Sequence, residues 1–164
     1  MSTLEFREAT PQDVPYLTQL RLRTIHEHLL KAGTDLTFEE HELRAQTRLN
    51  CCALLVMAGR TVGIVKVVRT GESWTIEQLQ IEPEFQGRGF GSAVIRQLQR
   101  DARASGVVLL LSVQRVNPAL ALYERLGFES LGESHGIVEM RSAGCEVRSE
   151  RCRVELLSCH GRRE

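Results

Sequence analysis

The chain has 164 residues, with 21 Lys+Arg against 21 Asp+Glu and so no formal net charge. That is the length of one domain, enough to bury a core without disulfides or metals, and the charge balance gives no electrostatic support for a nucleic-acid or membrane-surface partner. No apolar run approaches the roughly 18 residues that cross a bilayer, and MSTLEFREAT at the N-terminus lacks the basic and apolar regions of a secretion signal.

"LEFREAT" alternates from Leu4 and reads as a first or edge strand. Asp13 is placed to cap a helix with Pro15 in its first turn; Leu22, Ile25 and Leu29 share an apolar face and Gly33 stops it. Thr37 and Glu40 have capping-box spacing, so a second helix is expected to about Asn50. "CCALLVM" (51–57), the turn "AGR" and "TVGIVKVV" (61–68) form a hairpin, and "SWTIEQLQIEP" (73–83) a third long strand. A helix follows from about Gly91 to Ser105, with Val94, Ile95, Leu98 and Ala102 on one face. "VVLLLSV" (107–113) is nearly all apolar, as suits a central strand buried on both sides. Asn117-Pro118 starts the next helix, which ends at Gly127; 128–131 and 137–141 are the remaining strands. The expected fold class is α/β, a single mixed sheet of about six to seven strands with helices on both faces. Residues 1–141 read as one domain and 142–164, charged and thin in apolar residues, as an extension of unknown role.

Chemistry enters at "QIEPEFQGRGFGSAVI" (80–95), where Gly87, Gly89 and Gly91 alternate at the mouth of a helix. One glycine there suits a tight turn; three, with Arg88 among them, suit an anion brought close to bare amides at the positive end of a helix. The Walker A string is absent, and G-x-G-x-G is not the dinucleotide fingerprint.

Gln86, Gly89 and Gly91 match Q/R-x-x-G-x-G/A, and this stretch resembles the pyrophosphate loop of the GNAT superfamily of acetyl-CoA-dependent N-acetyltransferases. "NPALALYERLGF" (117–128) is similar to the family's later segment, an Asn, a helix carrying Leu-Tyr, then Gly-Phe, in the same order and spacing. The similarity covers about residues 4–141 and implies an acyl-CoA N-acyltransferase-like (GNAT) fold. It also implies transfer of an acetyl group from acetyl-CoA directly to a primary amine of a small molecule or peptide, without metal. The amides of Gly87, Arg88, Gly89, Phe90, Gly91 and Ser92 would then hold the pyrophosphate, with Gln86 in the loop. Leu79, Gln80 and Ile81 would splay through a bulge so that their backbone meets the pantetheine, with the Ile81 N–H as oxyanion donor. The rival functions are a non-catalytic acyl-CoA sensor, an interaction protein and an acyltransferase with another acyl donor.

Tyr123 is the candidate acid for the leaving thiolate, against a core tyrosine bonded to backbone. Glu77 is the candidate base: period 2 places it with Leu79 and Ile81 on a face where a carboxylate is costly to bury without purpose. Some family members carry a glutamate five residues before the Asn; that position here is Ser112. Asn117 caps its own helix or contacts the cofactor. Glu39, Glu40 and Glu42 read first as helix-start acids, and Arg88 as a phosphate partner or a solvated loop residue. His26, His28 and His41 read as solvent-compatible helix positions and no metal site is expected. Cys51 and Cys52 read as strand thiols; five cysteines is an odd number and adjacent strand residues point to opposite faces, which suits reduced thiols in a cytoplasmic protein, and with no C-x2-C pair the zinc-ribbon spacing is absent. Cys145, Cys152 and Cys159 recur every seventh residue, as a terminal-helix stripe or by chance. The expected partners are acetyl-CoA and an amine, with neither nucleic acid nor membrane; such domains often pair, which leaves a homodimer open.

Overall fold

A computed structural model of the chain describes residues 3–143, so Cys145, Cys152 and Cys159 and nearly all of the expected extension lie outside the described residues. The strands are β1 (Leu4–Glu8), β2 (Cys52–Met57), β3 (Arg60–Arg69), β4 (Ser73–Ile81), β5 (Val108–Gln114), β6 (Phe128–Ser134) and β7 (Ile137–Ser142), joined in one sheet in the order β1-β2-β3-β4-β5-β7-β6. Every neighbouring pair is antiparallel except β4 with β5. That parallel pair needs a crossover, which α4 (Phe90–Ala104) supplies. The tight hairpins turn on Ala58-Gly59 and His135-Gly136, all four with positive φ, the geometry whose twist matches that of the flanking strands.

Two apolar clusters hold helices to opposite faces. On one face Val94, Ile95, Leu98 and Ala102 of α4 bury with Val67, Ile76, Leu109, Leu111, Val113, Val138 and Met140, joined by Tyr123 of α5 (Ala119–Arg125). On the other, Leu17 and Leu20 of α1 (Val14–Thr24) and Ala45 of α3 (Phe38–Gln46) bury with Cys52, Leu54 and Ile64. Val108 to Leu111 of β5 are all at most 3 % exposed, as their unbroken apolarity requires of a strand covered on both sides.

The capping box forms as its spacing demands: the Glu40 N–H donates to Thr37 Oγ1 at 3.2 Å and the Thr37 N–H to Glu40 Oε2 at 2.7 Å. The first helix differs from expectation. It breaks at Ile25 into α1 and α2 (His26–Lys31), and α1 buries Val14, Leu17, Thr18, Leu20 and Arg21 rather than a Leu22–Ile25–Leu29 face. Asp13 does not cap it; its carboxylate accepts from the Thr10 N–H and from Arg7 instead. His41 is fully buried, not solvent-facing, with its Nε2 3.1 Å from His26 Nδ1.

Candidate active site

β4 and β5 pair only from Ser73↔Val108 to Ile76↔Leu111, and then part. The cause lies on the other edge of β4. Against β3 the register runs Lys66↔Gln78 and then Val67↔Ile76, so Glu77 is an extra residue, a bulge that bends the strand. Beyond it the ladder to β3 resumes, and the Glu82 N–H donates to the Val62 carbonyl at 2.9 Å. Antiparallel bonding alternates, so Gln80 and Gln78 also direct their amides to β3 while Leu79 and Ile81 direct theirs into the gap. The Ile81 carbonyl, on that open side, is met by Gln86 Nε2 at 3.0 Å. That strand edge is therefore left with bare N–H groups at Leu79 and Ile81, open to water or to a ligand.

A short 3-10 turn (Pro83–Phe85) leads from β4 to the glycine loop. Buried Phe85 meets Phe90 edge-to-face at 6.1 Å and anchors both ends of the loop. Gly87 and Gly89 have φ of 73° and 84°, a region that side chains resist, and none of the described residues lies within 4 Å of where a Cβ would sit on either. Gly89 stands at the cap of α4 with no side chain to cap it, and the first bond of the helix is from the Ala93 N–H to the Gly89 carbonyl at 3.0 Å. The amides of Gly87 through Ser92 donate to no acceptor among the described residues. They form a run of unspent donors at the positive end of a fifteen-residue helix. Arg88 lies over the Phe85 ring at 5.4 Å and enters no ion pair among the described residues, so its charge is available beside those amides.

α5 packs beside the start of α4, where a Cβ on Gly91 would lie 3.9 Å from Leu122 Cδ2. Asn117 Oδ1 accepts from the Ala119 N–H at 2.9 Å, the capping role, and its Nδ2 donors have no acceptor among the described residues. Tyr123 is 9 % exposed and meets Phe128 edge-to-face at 5.8 Å. Its hydroxyl makes no hydrogen bond among the described residues, so it is not a core tyrosine tied to backbone, and burial raises its pKa above the ordinary phenol value.

Residues 50–130 match the model of the acetyltransferase (GNAT) domain. The chain belongs to the GNAT superfamily. It is 35 % identical over 79 residues to the N-alpha-acetyltransferase RimI of Mycobacterium tuberculosis, an alignment covering 45 % of this chain and 49 % of that protein, so the match spans about half the length of that curated relative. The ribosomal-protein-S18-alanine N-acetyltransferase of Escherichia coli superposes with a TM-score of 0.66 at 20 % identity, over 92 % of this chain and 97 % of the other. The PaiA N-acetyltransferase of Thermoplasma acidophilum, solved with coenzyme A, gives 0.67 at 12 % identity, over 85 % and 98 %. At those identities the superpositions establish the GNAT fold.

Within this GNAT site Glu77 does not stand where alternation puts it. The bulge breaks the period, so Leu79 and Ile81 pack on the α4 side while the Glu77 carboxylate pairs with Arg48, next to Leu49 of the opposite cluster. Three further features lay outside the expected set. Gly63 of β3 lets β4 approach closely: a Cβ there would lie 2.2 Å from the Gln80 carbonyl oxygen. An isolated glycine in a strand pattern is the signal for it. Arg23 donates twice to Glu82 at the end of β4, at 2.7 and 3.3 Å. Lys66, 2 % exposed, donates to the carbonyls of Arg44 and Thr47 at the end of α3, and burial lowers its pKa. Among the described residues no helix is long and apolar enough to cross a membrane, and no group of three or more potential metal ligands occurs.

Proposed function

We propose that the chain is an acetyl-CoA-dependent N-acetyltransferase that passes the acetyl group directly to a primary amine, and that the amine is the N-terminus of a peptide or protein. The carrying observation is the juxtaposition of the unspent amides of Gly87 to Ser92 with the unpaired edge of β4. A diphosphate fits the first and an extended chain of amides fits the second. Acetyl-CoA, when bound, supplies an activated acetyl thioester.

The chain's own residues then have separable tasks. The amides of Gly87 to Ser92 and Arg88 hold the diphosphate, with Gln86 fixing the loop to the end of β4. The Leu79 backbone pairs with the pantetheine, the Ile81 N–H faces the developing oxyanion, and Asn117 Nδ2 is free for the same arm. A phenol ordinarily titrates at about 10, so Tyr123 holds its proton at neutral pH, and burial raises its pKa further. A free thiol titrates near 8.5, so the phenol supports the leaving sulfur first as a hydrogen-bond donor and yields its proton as the bond breaks. The peptide-amine reading draws on the names of the relatives, an N-alpha-acetyltransferase and an S18-alanine N-acetyltransferase.

The test is thermal unfolding with and without coenzyme A, followed by thiol release from acetyl-CoA with an alanine-starting peptide, Nα-acetyl-lysine and spermidine. Stabilisation of about 2.7 kcal/mol is expected at a hundred times Kd, with turnover fastest on the peptide. Stabilisation without turnover on any amine identifies a sensor; no stabilisation refutes the site.

A further inference from the structure

An amine acceptor arrives as an ammonium ion, since α-amino groups titrate near 7.7–8.0 and lysine near 10.4, and must lose a proton before it attacks. The carboxylates near the gap are mostly engaged: Glu77 with Arg48, Glu82 with Arg23, Glu129 with Arg141 and Glu133 with Arg115. Glu139 of β7 is partly exposed and has no ion pair or hydrogen bond among the described residues.

Its place is set by register. Glu139 lies opposite Ser112, the first residue of β5 past its last pair with β4. The flanking pairs Leu111↔Met140 and Val113↔Val138 are buried on the α4 side, so Ser112 and Glu139 present the other face of the sheet. Its neighbour on β6 is Gly132. Glu139 thus stands between a serine and a residue with no side chain, and no bulky group on either adjoining strand separates it from the gap. The strands lie about 4.8 Å apart, a distance a glutamate side chain spans. On its own strand the same face carries Ile137 and Arg141, and Arg141 turns to Glu129 at 3.7 Å. The glycine-loop amides open on the α4 side, which leaves this opposite face for the second substrate.

Resting on the acetyltransferase reading above, the geometry points to Glu139 as the group that takes the first proton from the acceptor amine, directly or through one water. The nitrogen loses two protons in becoming an amide. Glu139 accepts one before attack and releases it to solvent. As the C–N bond forms and the C–S bond breaks, Tyr123 gives its proton to sulfur, and the second proton from nitrogen restores the phenol. A carboxylate on β7 so does the work that Ser112, too short and not basic, cannot.

The experiment uses the full chain and whichever of the three amines above it turns over fastest. Glu139→Gln should lower kcat/KM about 100-fold at pH 7, the lower range for a general base, and keep the coenzyme A thermal shift. The loss should shrink as pH rises past the amine's own pKa. The double variant S112E/E139Q, with a carboxylate restored across the same strand pair, should recover part of it. Glu139→Gln within three-fold of wild type, a loss equal at every pH, or the loss appearing in Glu77→Gln instead would each overturn the assignment. If wild type acetylates none of the amines, the acetyltransferase reading itself falls, and this one with it.

Discussion

Gly63→Ala tests whether the close approach of β3 and β4 positions the open edge. The Cβ would stand 2.2 Å from the Gln80 carbonyl oxygen and 3.1 Å from Ile81 Cα. Contacts between a Cβ and another heavy atom are essentially never under 3.0 Å, and the atom met below that distance is backbone, so β4 must withdraw by about 1 Å. Overpacking of this kind costs about 1–3 kcal/mol. For a chain of this size that lowers Tm by roughly 2–12 °C. The larger effect falls on chemistry, because the displaced segment carries the Leu79 and Ile81 amides. A misplacement of about 1 Å there should reduce kcat/KM on the order of 100-fold. Thermal unfolding and thiol release read the two effects separately. Gly71→Ala is the control, at a glycine in the β3–β4 turn where an added Cβ meets none of the described residues within 4 Å, and should match wild type. Gly63→Ala with wild-type Tm and turnover would show that β4 is not held as described.

Tyr123→Phe should lower kcat by about 10- to 100-fold with the coenzyme A thermal shift unchanged, since the ring's contact with Phe128 survives and only the unbonded hydroxyl is lost; a weakened shift would make Tyr123 a binding residue. Ala58→Gly should raise stability by about 1 kcal/mol, read by denaturant unfolding, because Ala58 holds φ at 48° in the hairpin turn where glycine is unstrained. His41 gives a pH dependence. Burial, then Arg21, His26 and Arg44, lowers its pKa below the ordinary histidine value. As pH falls below about 6.5 the unfolded chain takes up the proton before the folded one, so this contribution to stability is whole above that pH and is lost as pH falls through the folded value. Tm measured from pH 7.5 to 5 should therefore decline, and His41→Gln should flatten part of the slope; an unchanged slope would place its origin elsewhere.

The features legible in the sequence are those with local causes. The capping box at Thr37 and Glu40, the Asn117 cap and the glycine loop each need only a few neighbouring residues to state their geometry, and all appear as read. The features missed depend on a partner strand or helix. Nothing near Ile25 marks a break, with neither proline nor glycine to punctuate the helix. His41 lies between Glu40 and Glu42 in sequence, which hides that it shares a face with Ala45; the two are buried together because α3 leans on α1. Gly63 announced a close approach, but only the position of Gln80 across the ladder gives it meaning.

Glu77 shows why the candidate site was harder to read than the fold. Alternation placed it with Leu79 and Ile81, and alternation holds only while two strands match residue for residue. The extra residue in β4 is visible solely in its register with β3. That single insertion has two consequences. It turns the Glu77 carboxylate to Arg48, away from the face it was assigned, and it bends β4 away from β5 so that the Leu79 and Ile81 amides come free. The expected splay and the misplaced glutamate therefore share one cause. A bulge that exposes a backbone edge also shifts the phase of the side chains at that edge. Past such a point, the carboxylate facing the open gap has to be sought by strand register, and here the register leads one strand beyond β5, to Glu139 opposite Ser112.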